Sequence, residues 1–444
     1  MASDMLSIAA SGTRAAQAAL NVTSQNIANV NTDGYVRRSV TQADVASTNT
    51  MGTSYGVVTL GGVRVTGTVR DVDAFQQSEV RRTGSDASRA DTLVTGLTNV
   101  NDAIDNSGLY DSITAYQTAL SKLSASPTDS SLRANALEAG RTLAQSFNQA
   151  SSALTATKSG LVQGATAGVS QVNTLATSLA KLNNTIAQTP DPSAQADLLD
   201  QRDNILQQLS QYGDITSTIA SNGTVQVQMG GTSGPVLVSG STANTLAMSQ
   251  DSTGAISYTV GGSALSLSGG SLAGQQQAMT AAISAGSTLD GIANNLISTV
   301  NTAQSNGVAL DGTQGQAMFS GSGAAGITLA LTSGSQIATA PSGSAANSSD
   351  ASNLNSMISS LKSVDIAGQT NNLILTTSTA VSSNTTTRDA LDAIYSNAQS
   401  TLSAQSGVSL DDEAANLVRY QQAYQASGKV IQVAQTLFNQ LLQI

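Results

Sequence analysis

Both ends of the chain carry a seven-residue repeat of apolar and small residues, and neither repeat has a neighbour in sequence to bury against. From Ser3 to Asn31, Leu6, Thr13, Leu20 and Ile27 form one row; Ala9, Ala16, Thr23 and Val30 form the row three positions on. At the other end Leu410, Leu417, Tyr424, Ile431 and Phe438 lie seven apart, and Tyr420, Ser427, Ala434 and Leu441 fill the second row. Such a seam predicts helices that pack along an a/d stripe, and its small residues allow a close approach. A helix from Asp411 to Leu442 would be about 48 Å long. Asp411, Asp412 and Glu413 would sit in its first turn, where the helix dipole favours negative charge, with Ser409 as a candidate N-cap. A lone helix with so narrow a stripe is marginal in water. The two ends must therefore pair with each other or with other copies of the chain.

The interior alternates between helical and strand-like patterns. Residues 75–122 read as helical, broken at Asn106-Ser107-Gly108. A long helix runs from Leu143 to Gln188 on Leu154, Leu161, Leu175 and Leu182. Asp191-Pro192 reads as N-cap and first position of another helix, which stops near Tyr212-Gly213. Between Asp214 and Asp290 the only charged residue is Asp251, and short β-type runs occur at 215–220, 225–229, 236–238, 246–248, 256–260 and 265–267. Asn222-Gly223 is a hairpin turn signal. Helical pattern returns over Gln275 to Ser305, Asn353 to Lys362 and Thr385 to Leu402. Residues 307–349 are rich in Gly, Ser and Ala, with strand character at Ile327 to Leu331.

The fold class is mainly α with an inserted β domain, an α+β multidomain chain. The expected parts are a discontinuous terminal helical coiled coil (1–40 with 405–444), a discontinuous, mainly helical core (41–214 with 271–404) and a small β-rich outer domain (215–270).

Composition narrows the function. The chain of 444 residues has 18 Lys and Arg against 28 Asp and Glu, a net charge of −10, which argues against nucleic acid as a partner. It contains no Cys and no His, which removes thiol nucleophiles, thiolate and imidazole metal sites and the Ser-His-Asp triad. No segment reaches the ~20 apolar residues of a membrane span. Gly52-Thr53-Ser54-Tyr55-Gly56 matches the nucleophile elbow but has no histidine base. Gly321 to Gly326 matches G-x-G-x-x-G but precedes a strand instead of following one, so a loop is expected there. Asp311-Gly312 lacks the spacing of a calcium loop. Arg37-Arg38 and Arg81-Arg82 read as isolated basic pairs, solvated by default, with contact to an acidic neighbour in an assembly as the alternative. No catalytic residue, cofactor or metal site is expected.

The stretch Ala18-Ala19-Leu20-Asn21-Val22-Thr23-Ser24-Gln25-Asn26-Ile27-Ala28-Asn29-Val30-Asn31-Thr32-Asp33-Gly34-Tyr35-Val36-Arg37 resembles the N-terminal signature of bacterial flagellar axial proteins, which include rod, hook and hook-associated proteins. Ser406 to Glu413, Tyr420-Gln421, Tyr424-Gln425-Ala426 and on to Ile444 are similar to that family's other end. Leu198-Leu199-Asp200-Gln201-Arg202-Asp203 narrows the resemblance to the hook-associated protein 1 family of hook–filament junction proteins. The chain departs from it at Ser427, where Asn is common. A further β domain that members carry after the segment matching Ala317-Met318-Phe319 is here replaced by a Gly/Ser-rich stretch.

The resemblance implies a structural role outside the cell at the hook–filament junction, with export by the flagellar type III system. It implies self-assembly through Leu6, Leu20, Ile27, Val30, Leu417, Tyr424, Ile431, Phe438 and Leu441, with a turn set by Asn26, Asn29, Asn31 and Gly34. The implied partners are further copies of the chain, hook protein, the second junction protein and a cytoplasmic export chaperone on the C-terminal helix; membrane insertion is not implied. A hook or rod protein, or a Ser/Thr/Gly-rich surface adhesin, remains the alternative at this level.

Overall fold

The computed structural model describes residues 2–32, 34–47 and 59–441. In chain order the elements begin with α1 (Ala2–Ala28), β1 (Arg38–Ser47), β2 (Thr59–Arg70), α2 (Ala74–Asp105), α3 (Leu109–Ala125), α4 (Ser130–Gln188) and α5 (Pro192–Tyr212). A strand-rich stretch follows: β3 (Ile215–Ile219), β4 (Val225–Met229), β5 (Val236–Ser239), β6 (Thr242–Ala243), β7 (Leu246–Gln250), β8 (Ile256–Val260) and β9 (Ser263–Leu265). After it come α6 (Gly270–Ser305), β10 (Gly307–Val308), β11 (Phe319–Ser320), α7 (Gly323–Gly326), β12 (Thr328–Leu329) and β13 (Ala340–Pro341). The chain ends in α8 (Ser352–Val364), α9 (Ile366–Ser406) and α10 (Leu410–Leu441). The fold is mainly α with small antiparallel sheets.

Local chemistry explains most boundaries. Gly108 adopts φ 64° and separates α2 from α3. Asp191 caps α5 by accepting from the Ser193 N–H, with Pro192 at the first helical position. In the β3–β4 hairpin, Asn222 accepts from Thr224 and Gly223 takes φ 85°. On β4, Val225, Val227 and Met229 are buried, and on β8 Ile256, Tyr258 and Val260 are buried, as period-2 alternation requires. The α9 helix begins at Ile366, well before the Thr385 expected from pattern. Its early turns are rich in Thr and Ser, which are poor helix formers. Thr376 and Thr377 satisfy their hydroxyls on carbonyls of their own helix.

The chain divides into two compact units, Met1–Ser85 with Val172–Thr245 and Asp392–Ile444, and Asp86–Gln171 with Leu246–Leu391. In the first unit a four-stranded sheet, β3-β4-β5-β6, is tied to α4 by Asn183. The buried Asn183 amide donates to the carbonyls of Val225 and Gly240 at 2.8 and 2.9 Å and accepts from the Val225 N–H. The second unit holds the β7-β8-β9 sheet and a helical core that includes Leu109, Ile113, Leu120, Leu143, Phe147, Leu289 and Leu296. The strands of 215–270 thus form two separate sheets, divided between the units at Thr245/Leu246, where a single inserted β domain was expected. No composition change marks that division.

A second difference lies near the start of the chain. β1 and β2 form a long antiparallel hairpin, with Arg38 opposite Arg70 and Ser47 opposite Thr59, in a stretch where no strands were expected. The nucleophile-elbow match at Gly52 to Gly56 lies outside the described residues.

Candidate functional site

The first α-helix stops at Ala28, so Val30 lies in the following turn and not on the helical seam. Asn26 organises that turn. Its side-chain amide donates to the Arg38 carbonyl at 2.9 Å, and its oxygen accepts from the Arg38 N–H at 3.0 Å and the Tyr35 hydroxyl at 2.9 Å. A buried amide here acts as a strand edge for the start of β1. Asn29 donates back to the Gln25 carbonyl and accepts from Thr32, Asn31 is exposed, and Gly34 has φ 77°. Any L side chain at position 34 must hold a left-handed backbone, so Gly34→Ala is expected to cost about 1–2 kcal/mol, read as faster amide exchange over Thr32 to Arg38. Unchanged exchange would remove the turn from the list of constraints.

Below the turn four arginines meet five carboxylates. Arg37 reaches Glu413 at 2.8 Å and Asp71 at 2.8 Å. Arg38 reaches Asp197 at 2.5 Å and Asp200 at 2.7 Å, and it stacks over the Tyr35 ring. Arg70 joins Asp200 at 2.6 Å to Asp203 at 2.7 Å. Arg202 binds Asp203 at 2.6 Å and also donates to the Gly223 carbonyl at 2.7 Å. Arg37-Arg38 is therefore an internal tie, not a solvated pair, because its partners arrive from α5, from the residue that follows β2 and from α10. Glu413, read as a helix-dipole residue, is 1% exposed and holds Arg37.

The electrostatics differ across this clamp. Burial pushes the Asp203 carboxyl up, but Arg202 and Arg70 outweigh it and hold the group below its usual value. For Asp200 burial wins over Arg70 and Arg38, and the carboxyl sits above its usual value. Burial opposes charge on Arg37, yet Glu413 and Asp71 raise its pKa. The motif Leu198 to Asp203 thus has a physical role: Asp200, Arg202 and Asp203 fasten the β1–β2 hairpin and the β3–β4 turn onto α5.

Above the clamp, α1 packs against α10, with a Cβ placed on Gly12 coming 3.0 Å from the Ser427 hydroxyl. The face of α1 that is buried is the row of Ala9, Ala16 and Thr23, with Ala15, Ala19 and Val22. Leu6, Leu20 and Ile27 are half-buried. On α10 Ala434 is buried, Leu417, Tyr420, Ser427 and Ile431 are half-buried, and Tyr424 and Phe438 are exposed. Leu441 closes the helix, and its side chain lies outside the described part. A second apolar set on α10 was missed: Val418, Val430, Val433 and Leu437 are exposed, with Val433 at 54%. These positions fall off the heptad rows, so the seven-residue pattern could not flag them.

The remaining motifs are structural. The G-x-G-x-x-G stretch forms the short α7, and its first amides are taken: Gly323 N–H donates to Asn294 and Ala324 N–H to Asp290, at 2.8 and 2.7 Å. Asp311 closes an Asx turn on Thr313. Among the described residues no cluster of His, Cys, Asp or Glu suits a metal, and no helix is long and apolar enough to cross a membrane.

Family comparison resolves which axial protein this architecture belongs with. The family described as the flagellar hook-associated protein FlgK helical domain matches residues 76–319, more than half of the chain. The chain belongs to the FlgK family. The basal body rod protein family matches residues 6–35, and the basal body rod FlgEFG C-terminal family matches 399–444. Flagellar hook-associated protein 1 of Salmonella typhimurium is 30% identical over 250 residues, covering 55% of this chain and 44% of that protein. Its counterpart in Bacillus subtilis is 32% identical over 218 residues, covering 47% and 43%. The chain thus matches less than half the length of these FlgK relatives. A solved structure of the flagellar hook junction protein FlgK from Burkholderia pseudomallei aligns with TM-score 0.49 and 27% identity, over 55% of this chain and 46% of that one.

Proposed function

We propose that this chain is a structural subunit of the flagellar hook–filament junction, held to its neighbours through the α1–α10 pair. The observation that carries the reading is the apolar surface left on that pair. Val418, Tyr424, Val430, Val433, Leu437 and Phe438 on α10, and Met5 and Ile8 on α1, are all more than a third exposed. Apolar side chains concentrated on one element mark an interaction surface. The FlgK match over the middle of the chain supports the junction over a rod or hook station, since the rod-type matches cover only the two ends.

In this reading the neighbours are further copies of the chain, hook protein and the second junction protein. Before assembly the exposed face of α10 is the segment an export chaperone would cover, as an amphipathic helix fits a groove. The protein acts outside the cell, after export through the flagellar type III apparatus. Its role is mechanical and not enzymatic.

Because Leu417 and Ile431 are half-buried, changing them would also disturb the pairing inside one chain. Val433→Asp with Leu437→Asp tests assembly alone. Monomer unfolding should stay within about 0.5 kcal/mol of the parent, as surface substitutions do. Hooks bearing filaments, counted by electron microscopy, should fall at least about tenfold, the loss expected from ~1.4 kcal/mol of contact. Parental filament numbers in that double variant would sink the proposal.

A further inference from the structure

Arg37, Arg38, Arg70 and Arg202 each have a carboxylate within bonding distance, but among the described residues Arg81, in the first turns of α2, has none. Its hydrogen bond is a long one, 3.4 Å to the Ser217 hydroxyl. Asp203 attracts it, yet that carboxylate is already shared by Arg70, Arg202 and Gln77. Burial and the Arg202 charge push the Arg81 pKa down despite Asp203. The guanidinium is an incompletely compensated cation.

It faces a cleft of about 630 Å³ in the first unit, walled by the turn after α1, by α2 and α5, and by the end of α9. The wall is polar, with Asn204, Gln207, Gln211, Gln399 and Ser403 among its residues, and the Asp203 carboxylate, turned onto Arg70 and Arg202, also lines it. Ser406 also lines it; that residue is 5% exposed, and among the described residues its hydroxyl has no hydrogen-bond partner. Its backbone carbonyl is taken by the Arg37 N–H. An unmet cation and an unmet buried hydroxyl in one polar cleft call for a guest with negative charge and several acceptor lone pairs. Carboxylate fits both, since guanidinium–carboxylate pairs are strong and directional.

We propose that this cleft receives an aspartate or glutamate side chain from a neighbouring copy of the chain, its carboxylate accepting from the Arg81 guanidinium and the Ser406 hydroxyl. A second copy is the favoured source for two reasons. The chain carries 28 acidic residues against 18 basic ones, so neighbours present carboxylates readily. Ser406 and Gly407 also lead directly into α10, the helix assigned above to subunit contacts. The proposal rests on that assembly reading.

Two measurements on the full chain test it. The first titrates arginine-labelled protein with N-acetyl-aspartate N-methylamide and follows the Arg81 side-chain N–H by NMR. A saturable shift is expected, absent with the neutral asparagine analogue and weakened about tenfold by Ser406→Ala, the loss of one hydrogen bond to a charged group. No saturable shift at tens of millimolar probe overturns the site. The second compares assembly at hooks for Arg81→Gln and Arg81→Lys. Arg81→Gln should reduce it at least about tenfold, and Arg81→Lys, which keeps charge but loses the fork, should fall between.

Probe binding together with parental assembly of Arg81→Gln would make this a site for free carboxylates and overturn the neighbour as source. Parental assembly of Arg81→Gln while Val433→Asp with Leu437→Asp fails would overturn this contact alone. If both assemble normally, the assembly reading falls with it.

Discussion

Asp203→Asn is expected to destabilise the first unit by about 3–5 kcal/mol, the usual consequence of removing one partner from a buried ion pair. One carboxylate oxygen accepts from Arg70 at 2.7 Å and Gln77 at 3.2 Å, and the other accepts from Arg202 at 2.9 and 2.6 Å. Both arginine side chains are at most 7% exposed. The amide keeps the shape of the acid but turns an N–H₂ group toward a guanidinium, strips Arg202 of its countercharge and leaves Arg70 with Asp200 alone. Amide exchange in the β1–β2 hairpin and in α5 should accelerate by two orders of magnitude or more, since each 1.4 kcal/mol is tenfold. Asp200→Asn should do less, because burial already holds that carboxyl above its usual pKa and weakens its hold as an anion. Equal or reversed effects would show that the clamp does not run through Asp203.

Arg133→Met is expected to cost several kcal/mol in the second unit. Arg133 is 1% exposed, and among the described residues no carboxylate pairs with it. Its guanidinium donates to the carbonyls of Pro127 at 2.5 Å, Gly334 at 3.1 Å and Ile337 at 2.9 Å, and to the Thr339 hydroxyl at 2.7 Å. The segment it holds belongs to a stretch with no charge between Asp311 and Asp350. Hydrogen bonds from a charged donor contribute about 1.5–3 kcal/mol each, and each stranded buried carbonyl costs about 1–3 kcal/mol. Methionine fills much of the volume and satisfies none of these oxygens. Limited proteolysis should then cut within 330–340 under conditions where the parent chain is intact. A resistant Arg133→Met chain would mean that Gln304, whose side-chain oxygen accepts from the Ala338 N–H at 2.7 Å, and Asn353, which donates to the Ala338 carbonyl, suffice.

What the sequence revealed follows the range of the interactions. Helices and caps governed by neighbours a turn away were legible: the break at Gly108, the Asp191-Pro192 start, the Asn222-Gly223 turn and the long terminal helices. So were the alternating strands of the charge-poor stretch. Their division into two sheets was not, because partner choice among short similar strands is a tertiary matter. The β1–β2 pair escaped because the sequence between its strands carries no short-loop signature and the strand residues mix polarity. The clamp was half visible. Its acidic half appeared as a motif and its basic half as an isolated pair, but Arg38 and Asp200 stand 162 positions apart and nothing local joins them. Buried polar anchors such as Asn183 and Arg133 gave no periodic signal at all. The exposed residues of α10 illustrate the converse limit: a seam describes the side that pairs within the chain, and the side left over shows only once that pairing is seen.

The bond between Arg37 and Glu413 closes across 376 residues. During synthesis at about 5–20 residues per second, the ribosome needs roughly 20–75 s to travel from one to the other. For that interval α1, the turn and the hairpin have emerged while α10, the helix that covers their apolar stripe, does not yet exist. Contacts of such separation also form slowly once the chain is whole. The first unit is thus the last to mature, and its early segments spend their opening minute with their apolar stripe uncovered in a crowded cell.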